Sequence, residues 1–164
     1  MILFLILVCF IQGCEKPLPD RFVIPQSLTT AKKCPIILDY MWLSGCSECQ
    51  ILDAARWLRR QNDLTKRGAG HEVEIICILA SDRPLNTDLI EQQTSSSMQT
   101  PNVHYVYTVS EIRHFLRLNP AMPSRRSFTC LLDPEGSVVC QGGDPKKDME
   151  SFDEYVACIH NLNI

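Results

Sequence analysis

Two short apolar runs constrain the fold of this chain more than any other feature. Pro35-Ile36-Ile37-Leu38-Asp39-Tyr40-Met41-Trp42-Leu43 and Val73 to Ala80 (VEIICILA) are almost continuous in apolar side chains. They lack the alternation of a strand that keeps one face in water, so both read as strands buried on two faces, which belong to parallel or mixed sheets. From Cys46 to about Lys66, Ile51, Leu52, Ala55 and Leu58 recur at helical spacing, with Asp53, Arg56, Arg59 and Arg60 among the polar positions. Gly68 and Gly70 stop that helix.

The rest of the chain continues the alternation. A polar segment from about Leu85 to Gln93 is helical, and Thr94 to Ser97 reads as a loop. Val103 to Val109 alternates as a strand, and Ser110 is placed to cap a short helix over Glu111 to Leu118. After the loop Asn119 to Pro123, Phe128 to Asp133 and Ser137 to Gln141 flank Pro134-Glu135-Gly136 as a hairpin. Met149, Phe152, Tyr155, Val156 and Ile159 make Lys147 to Leu162 a closing amphipathic helix. Strands alternating with helices and ending in an antiparallel hairpin predict an α/β sandwich around a mixed sheet, in one domain.

The N-terminus reads differently. Ile2 to Ile11 are ten consecutive apolar residues, too few to span a hydrocarbon core and the right length for the apolar region of a signal peptide. Ile11-Gln12-Gly13-Cys14 follows, and resembles the lipobox of bacterial lipoproteins, in which the cysteine receives a diacylglycerol after cleavage. No charged residue precedes Glu15, and a plain secretory signal or an uncleaved anchor is the alternative. The expected organisation is a signal peptide over residues 1–13, a lipidated Cys14 and tether over 14–33 with a short edge element at Phe22 to Ile24, and the domain over 34–164. On either reading the domain lies outside the cytoplasm, and on the lipidated one it faces the periplasm from a membrane.

Composition adds two points. Lys and Arg total 16 against 19 Asp and Glu, a formal charge of -3, so no broad basic face is available to hold nucleic acid. Nine cysteines in 164 residues are too many to pass over and odd in number. Cys9 and Cys14 belong to the N-terminal segment. Cys77, Cys130 and Cys158 fall in apolar positions and read as small core residues. Cys34 and Cys140 could pair, although spacing assigns no connectivity. His71, His104, His114 and His160 are scattered without ligand spacing, so no metal or other cofactor is expected.

Cys46-Ser47-Glu48-Cys49 carries the chemistry. Roughly 0.5 such spacings would arise by chance in a chain this rich in cysteine, so position matters more than the motif. It lies where the first buried strand turns into the first long helix. There the unpaired N–H groups and the helix dipole favour a thiolate at Cys46, with Cys49 one turn further in and less exposed. Glu48 adds negative charge beside Cys46, which by itself raises the thiol pKa and favours the disulfide. Arg125 and Arg126 could offset it, or simply be solvated.

The Cys-x-x-Cys at the strand-to-helix turn, the Phe128-Thr129-Cys130-Leu131-Leu132-Asp133-Pro134-Glu135-Gly136-Ser137-Val138-Val139 hairpin and the closing helix together resemble thioredoxin-fold proteins. The likeness is to the TlpA/ResA-like thiol-disulfide oxidoreductases, in their lipid-anchored Bacteroidetes form, from about Cys34 to Leu162. It implies a three-layer sandwich with a mixed sheet, Cys46 as nucleophile, Cys49 as resolving thiol, protein thiols or disulfides as substrates, and a further redox partner. Asp39 would be the buried acid ahead of the motif. Trp42 is the nearest tryptophan to Cys46, where the family has Trp in the position of Gly45. Ser127 stands where the family has a cis-proline, with Pro123 four residues earlier. The competing expectation is a thioredoxin-fold lipoprotein that binds partners without catalysis. Peroxide reduction is not indicated, because Asp39 and Leu43 stand where its Pro and Thr would be.

Overall fold

The computed structural model of the chain describes residues 17–29, 33–70, 73–95 and 102–162. The signal segment and Cys14 lie outside these residues, as does His71. The elements are β1 (Ile36–Trp42), α1 (Ser47–Ala54), α2 (Arg56–Lys66), β2 (Glu74–Ala80), α3 (Thr87–Thr94), β3 (Val103–Val106), α4 (Val109–Leu118), β4 (Phe128–Leu132), β5 (Val138–Gln141) and α5 (Met149–Asn161). A 3-10 turn over Gln26–Leu28 precedes them.

The strands form one sheet in the order β3-β2-β1-β4-β5. β1 and β3 run parallel to β2, whereas β4 is antiparallel to both β1 and β5. The two runs read as doubly buried strands are therefore the sheet's central parallel pair. Successive β1 side chains go to opposite faces. Ile37 and Met41 join Ile75, Leu79 and Leu131 beneath Ile51, Trp57, Phe152 and Tyr155 of α1, α2 and α5. Ile36, Leu38 and Tyr40 join Ile76, Ile78 and Leu132 beneath Phe115 of α4 and Phe22 of the N-terminal segment. The result is an α/β three-layer sandwich with a mixed sheet, closed by a β-hairpin and a helix.

Three expectations change. The helix expected over Cys46 to Lys66 is broken at Ala55: the Leu58 N–H bonds to the Ala55 carbonyl, and the Ala54 carbonyl it would have used accepts the Tyr105 hydroxyl at 3.1 Å. A side chain from β3 has entered the helix ladder and turned it. The strand expected to reach Val109 stops at Val106, because the following helix starts at Val109 with Thr108, not Ser110, as its N-cap. Finally, residues 20–28 belong to the domain. Arg21 bridges Ser137, Phe22 donates its N–H to the Gly136 carbonyl at 2.8 Å, and the Asn119 amide bonds both N–H and C=O of Val23. Phe22 is fully buried and stacks on Phe115 and Phe128. This segment covers the start of the β5 edge, which would otherwise offer unpaired backbone groups.

Candidate active site

The end of the sheet at Trp42 is assembled from three loops. After β1 the chain is held to β2 by the Leu43 N–H on the Ala80 carbonyl at 2.8 Å and by Ser81 Oγ on the Leu43 carbonyl at 3.3 Å. The loop before β4 is held by the Tyr40 hydroxyl on the Ser124 carbonyl at 2.7 Å. Burial raises that hydroxyl's pKa to about 12, so it stays a donor. Beyond the last backbone pair of β1 and β4, Ser127 Oγ accepts the Trp42 N–H at 2.8 Å. A side-chain hydroxyl thus continues the ladder by one bond, and a proline could not supply it. None of the described residues has a cis peptide bond. Arg125 stacks over the Trp42 ring at 5.7 Å and pairs with Asp82 at 3.3 Å.

Cys46 is the N-cap of α1, with its sulfur accepting the Cys49 N–H at 3.4 Å. The two sulfurs are 2.8 Å apart and share a hydrogen bond. Both thiols are exposed, so Cys49 is not the sheltered thiol that position alone implies. The hydrogen bond from the Cys49 side chain, and then that from its backbone N–H, hold the Cys46 thiol below its ordinary pKa. Glu48 acts in the expected direction, upward, but its charge is outweighed, so the net shift is the reverse of the one expected from Glu48 alone. Cys49 is pushed up, first by its hydrogen bond to Cys46 and then by the Cys46 charge. One thiol is thereby biased to ionise first, and the other to keep its proton as donor. Gly45 has open space around it, with nothing within 4 Å of where a Cβ would sit.

Asp39 is placed elsewhere. It lies beneath α2, accepting Trp57 Nε1 at 2.7 Å, Thr129 Oγ1 at 2.9 Å and Lys146 Nζ at 3.1 Å, with the Cys77 sulfur at 3.6 Å. Cys77 and Thr129 are its direct neighbours on β2 and β4, so a row of polar groups crosses the buried sheet. None of its contacts reaches Cys46 or Cys49, and the charges acting on those thiols are each other and Glu48. Lys146, whose role the sequence reading missed, is nearly as buried as Asp39. Its nearest sequence signal is the polar run Asp144-Pro145-Lys146 ahead of α5.

Among the described residues, no three His, Cys, Asp or Glu side chains are grouped to hold a metal. The cysteines read as core differ in depth: Cys77 and Cys130 are fully buried, whereas Cys158 is half-buried and packs against the core.

No protein-family model and no curated protein matches the chain. Among solved structures, a thiol:disulfide interchange protein from Bacteroides sp. is 14% identical over 85% of this chain and 88% of its own, with a TM-score of 0.48. A thioredoxin-like protein from Parabacteroides distasonis is 12% identical over 85% and 92%, at 0.47. A copper-bound ScoI from Arabidopsis thaliana is 18% identical over 79% and 85%, at 0.48. Overlaps of this quality say nothing of activity. The α/β fold with its mixed five-stranded sheet stands on the strand order and connections themselves.

Proposed function

We propose that the chain is a membrane-anchored, extracytoplasmic thiol-disulfide oxidoreductase. The observation that carries this reading is Cys46 at the N-cap of α1, held below its ordinary pKa by Cys49 at 2.8 Å. The Cys46 thiolate attacks one sulfur of a substrate disulfide, forming a mixed disulfide and releasing the first substrate thiol. Cys49 then loses its proton and attacks the Cys46 sulfur, forming the Cys46–Cys49 disulfide and releasing the second. The substrate gains two electrons, the protein loses two, and no cofactor takes part. Run backwards, the same steps oxidise a dithiol.

The anchor in this reading is a lipid on Cys14, and the chain faces the periplasm. Pro17 and Leu18 line one cavity with Arg126 and Ser127, which supports an entry of the chain at the end of the sheet that carries Cys46. An anchor three residues before Pro17 would hold the thiol pair close to the membrane surface.

A non-catalytic binding role is the second reading. It is favoured by Ser127, whose hydroxyl is spent on Trp42, and by the adverse charge of Glu48. The two separate in a redox titration of the full chain in detergent, beside Cys46→Ser and Cys49→Ser, with insulin reduction as turnover. A reversible two-thiol couple with turnover, lost in both variants, supports the oxidoreductase. A pair that stays reduced in oxidised glutathione, or a disulfide that does not exchange, supports the binding role. Palmitate labelling of the chain, lost in Cys14→Ala, tests the anchor.

A further inference from the structure

A second pair of thiols meets where α5 lies on β5. Tyr155 donates its hydroxyl to the carbonyls of Thr129 at 2.8 Å and Gly142 at 3.3 Å. Gly143 lies against Ser151, Tyr155 bonds Gly142 one turn further along α5, and Cys158 follows by another turn as Cys140 precedes Gly142 by two residues, so α5 runs back along β5. Cys140 pairs across the sheet with Leu131, which faces the helices, so Cys140 and Cys158 lie at the same level between one helix and one strand. The Cys158 side chain is near enough to Cys140 to add to the effect of burial in raising its pKa. Both are half-buried and pack against the core beside Tyr155 and Val156. Cys140 also lines a groove of about 200 Å³ with Leu18, Pro19 and Asp20. Cys34, the other candidate partner for Cys140, lines a separate cavity with Asp133 to Gly136.

We propose that Cys140 and Cys158 form a second intramolecular disulfide, distinct from the Cys46–Cys49 couple, that fastens the closing helix to the edge strand. The oxidant is a small or protein disulfide, RSSR. The Cys158 thiolate attacks one sulfur of RSSR and expels RS⁻, which takes up a proton. Cys140 then gives up its proton and attacks the Cys158 sulfur of the mixed disulfide, expelling the second RS⁻. Two protein thiols become one disulfide, and RSSR becomes two RSH. Burial is the largest cause that raises the Cys140 thiol, and it persists in the mixed disulfide, so closure is the slow step and speeds up with pH. The closed loop holds Lys146 against Asp39 and Asp148 at the start of α5, so the bond restrains the segment that neutralises the buried carboxylate.

The test uses the full chain carrying Cys46→Ser and Cys49→Ser, incubated with oxidised glutathione from pH 7 to 9, then alkylated, digested without reduction and mapped by mass. The expected result is a peptide joining residue 140 to residue 158, formed faster at higher pH, with Cys77 and Cys130 still alkylated. Reducing it lowers the thermal midpoint by about 5 °C or more. Adding Cys140→Ser, or Cys158→Ser if the first variant does not fold, abolishes both the joined peptide and the thermal shift. Recovery of both thiols in alkylated form, or oxidation that stops at a glutathione adduct on either, overturns the proposal.

Discussion

Lys146 Nζ stands 3.1 Å from Asp39 Oδ1, with both side chains withdrawn from solvent. The pair joins the loop before α5 to the middle of the central strand, and Trp57 and Thr129 satisfy the rest of the carboxylate. Removing one member of such a pair leaves a buried charge without its partner. Lys146→Met is therefore expected to cost about 3–5 kcal/mol, measured by urea unfolding near pH 7. Burial works against the ammonium, but Asp39 and Asp144 more than compensate, and Lys146 holds its proton above the usual lysine range. A pKa raised on folding contributes in full below the unfolded value, about 10.4, and is lost as pH rises through the folded one. The gap between Lys146→Met and the parent chain should stay constant from pH 7 to about 10 and narrow above it. A gap that closes already at neutral pH would contradict the pairing.

The rate of Cys46 alkylation against pH reports its thiolate. Its midpoint is expected below that of an ordinary thiol, because the largest influence is the hydrogen bond from Cys49. Cys49→Ala removes that bond and moves the midpoint up, whereas Glu48→Gln removes an opposing charge and moves it down. Asp39→Asn should leave the midpoint where it was, since Asp39 touches neither thiol. A shift with Asp39→Asn as large as that with Glu48→Gln would reconnect the buried acid to the site.

What could be read from the sequence follows from how far apart the interacting residues are. The central strand pair was legible because burial on both faces leaves an unbroken apolar run, and Cys46 at a helix start was legible because the turn between strand and helix is local. The break at Ala55 was not, since its cause is a hydroxyl on Tyr105, about fifty residues away in the chain. Asp39 reads as a buried acid through the family resemblance, yet its counter-charge lies more than a hundred residues on. Cys158 reads as a small core residue and Cys140 as a possible partner of Cys34, and only the docking of α5 on β5 brings Cys158 and Cys140 onto one side of the sheet. Glu48 was read with the correct sign, but the opposing hydrogen bonds depend on the precise turn of α1.

Ser127→Ala removes the acceptor for the Trp42 N–H, and the partly exposed end of β1 can recruit water in its place. The expected cost is about 0.5–1.5 kcal/mol in urea unfolding, with insulin turnover changed by the loosened loop more than the stability is. Gly45→Ala enters open space and should stay within about 0.5 kcal/mol of the parent chain. If Gly45→Ala instead destabilised the fold severely, the loop between Leu43 and Cys46 would be packed in a way the geometry does not allow.

The N-terminal segment offers a test of where the domain begins. A boundary at Cys34 discards Phe22, whose ring fills the space between Phe115 and Phe128, together with Leu28. Phe22→Ala leaves a cavity under α4 and is expected to cost about 3–5 kcal/mol. A chain starting at Cys34 loses that packing and also the backbone bonds to Gly136 and Val138, which leaves the β5 edge open. It should unfold at lower urea than Phe22→Ala and associate at concentrations where a chain starting at Pro17 stays monomeric, as read by light scattering. Equal stability of the chains starting at Pro17 and Cys34 would mean that residues 20–28 cover the sheet without supporting it.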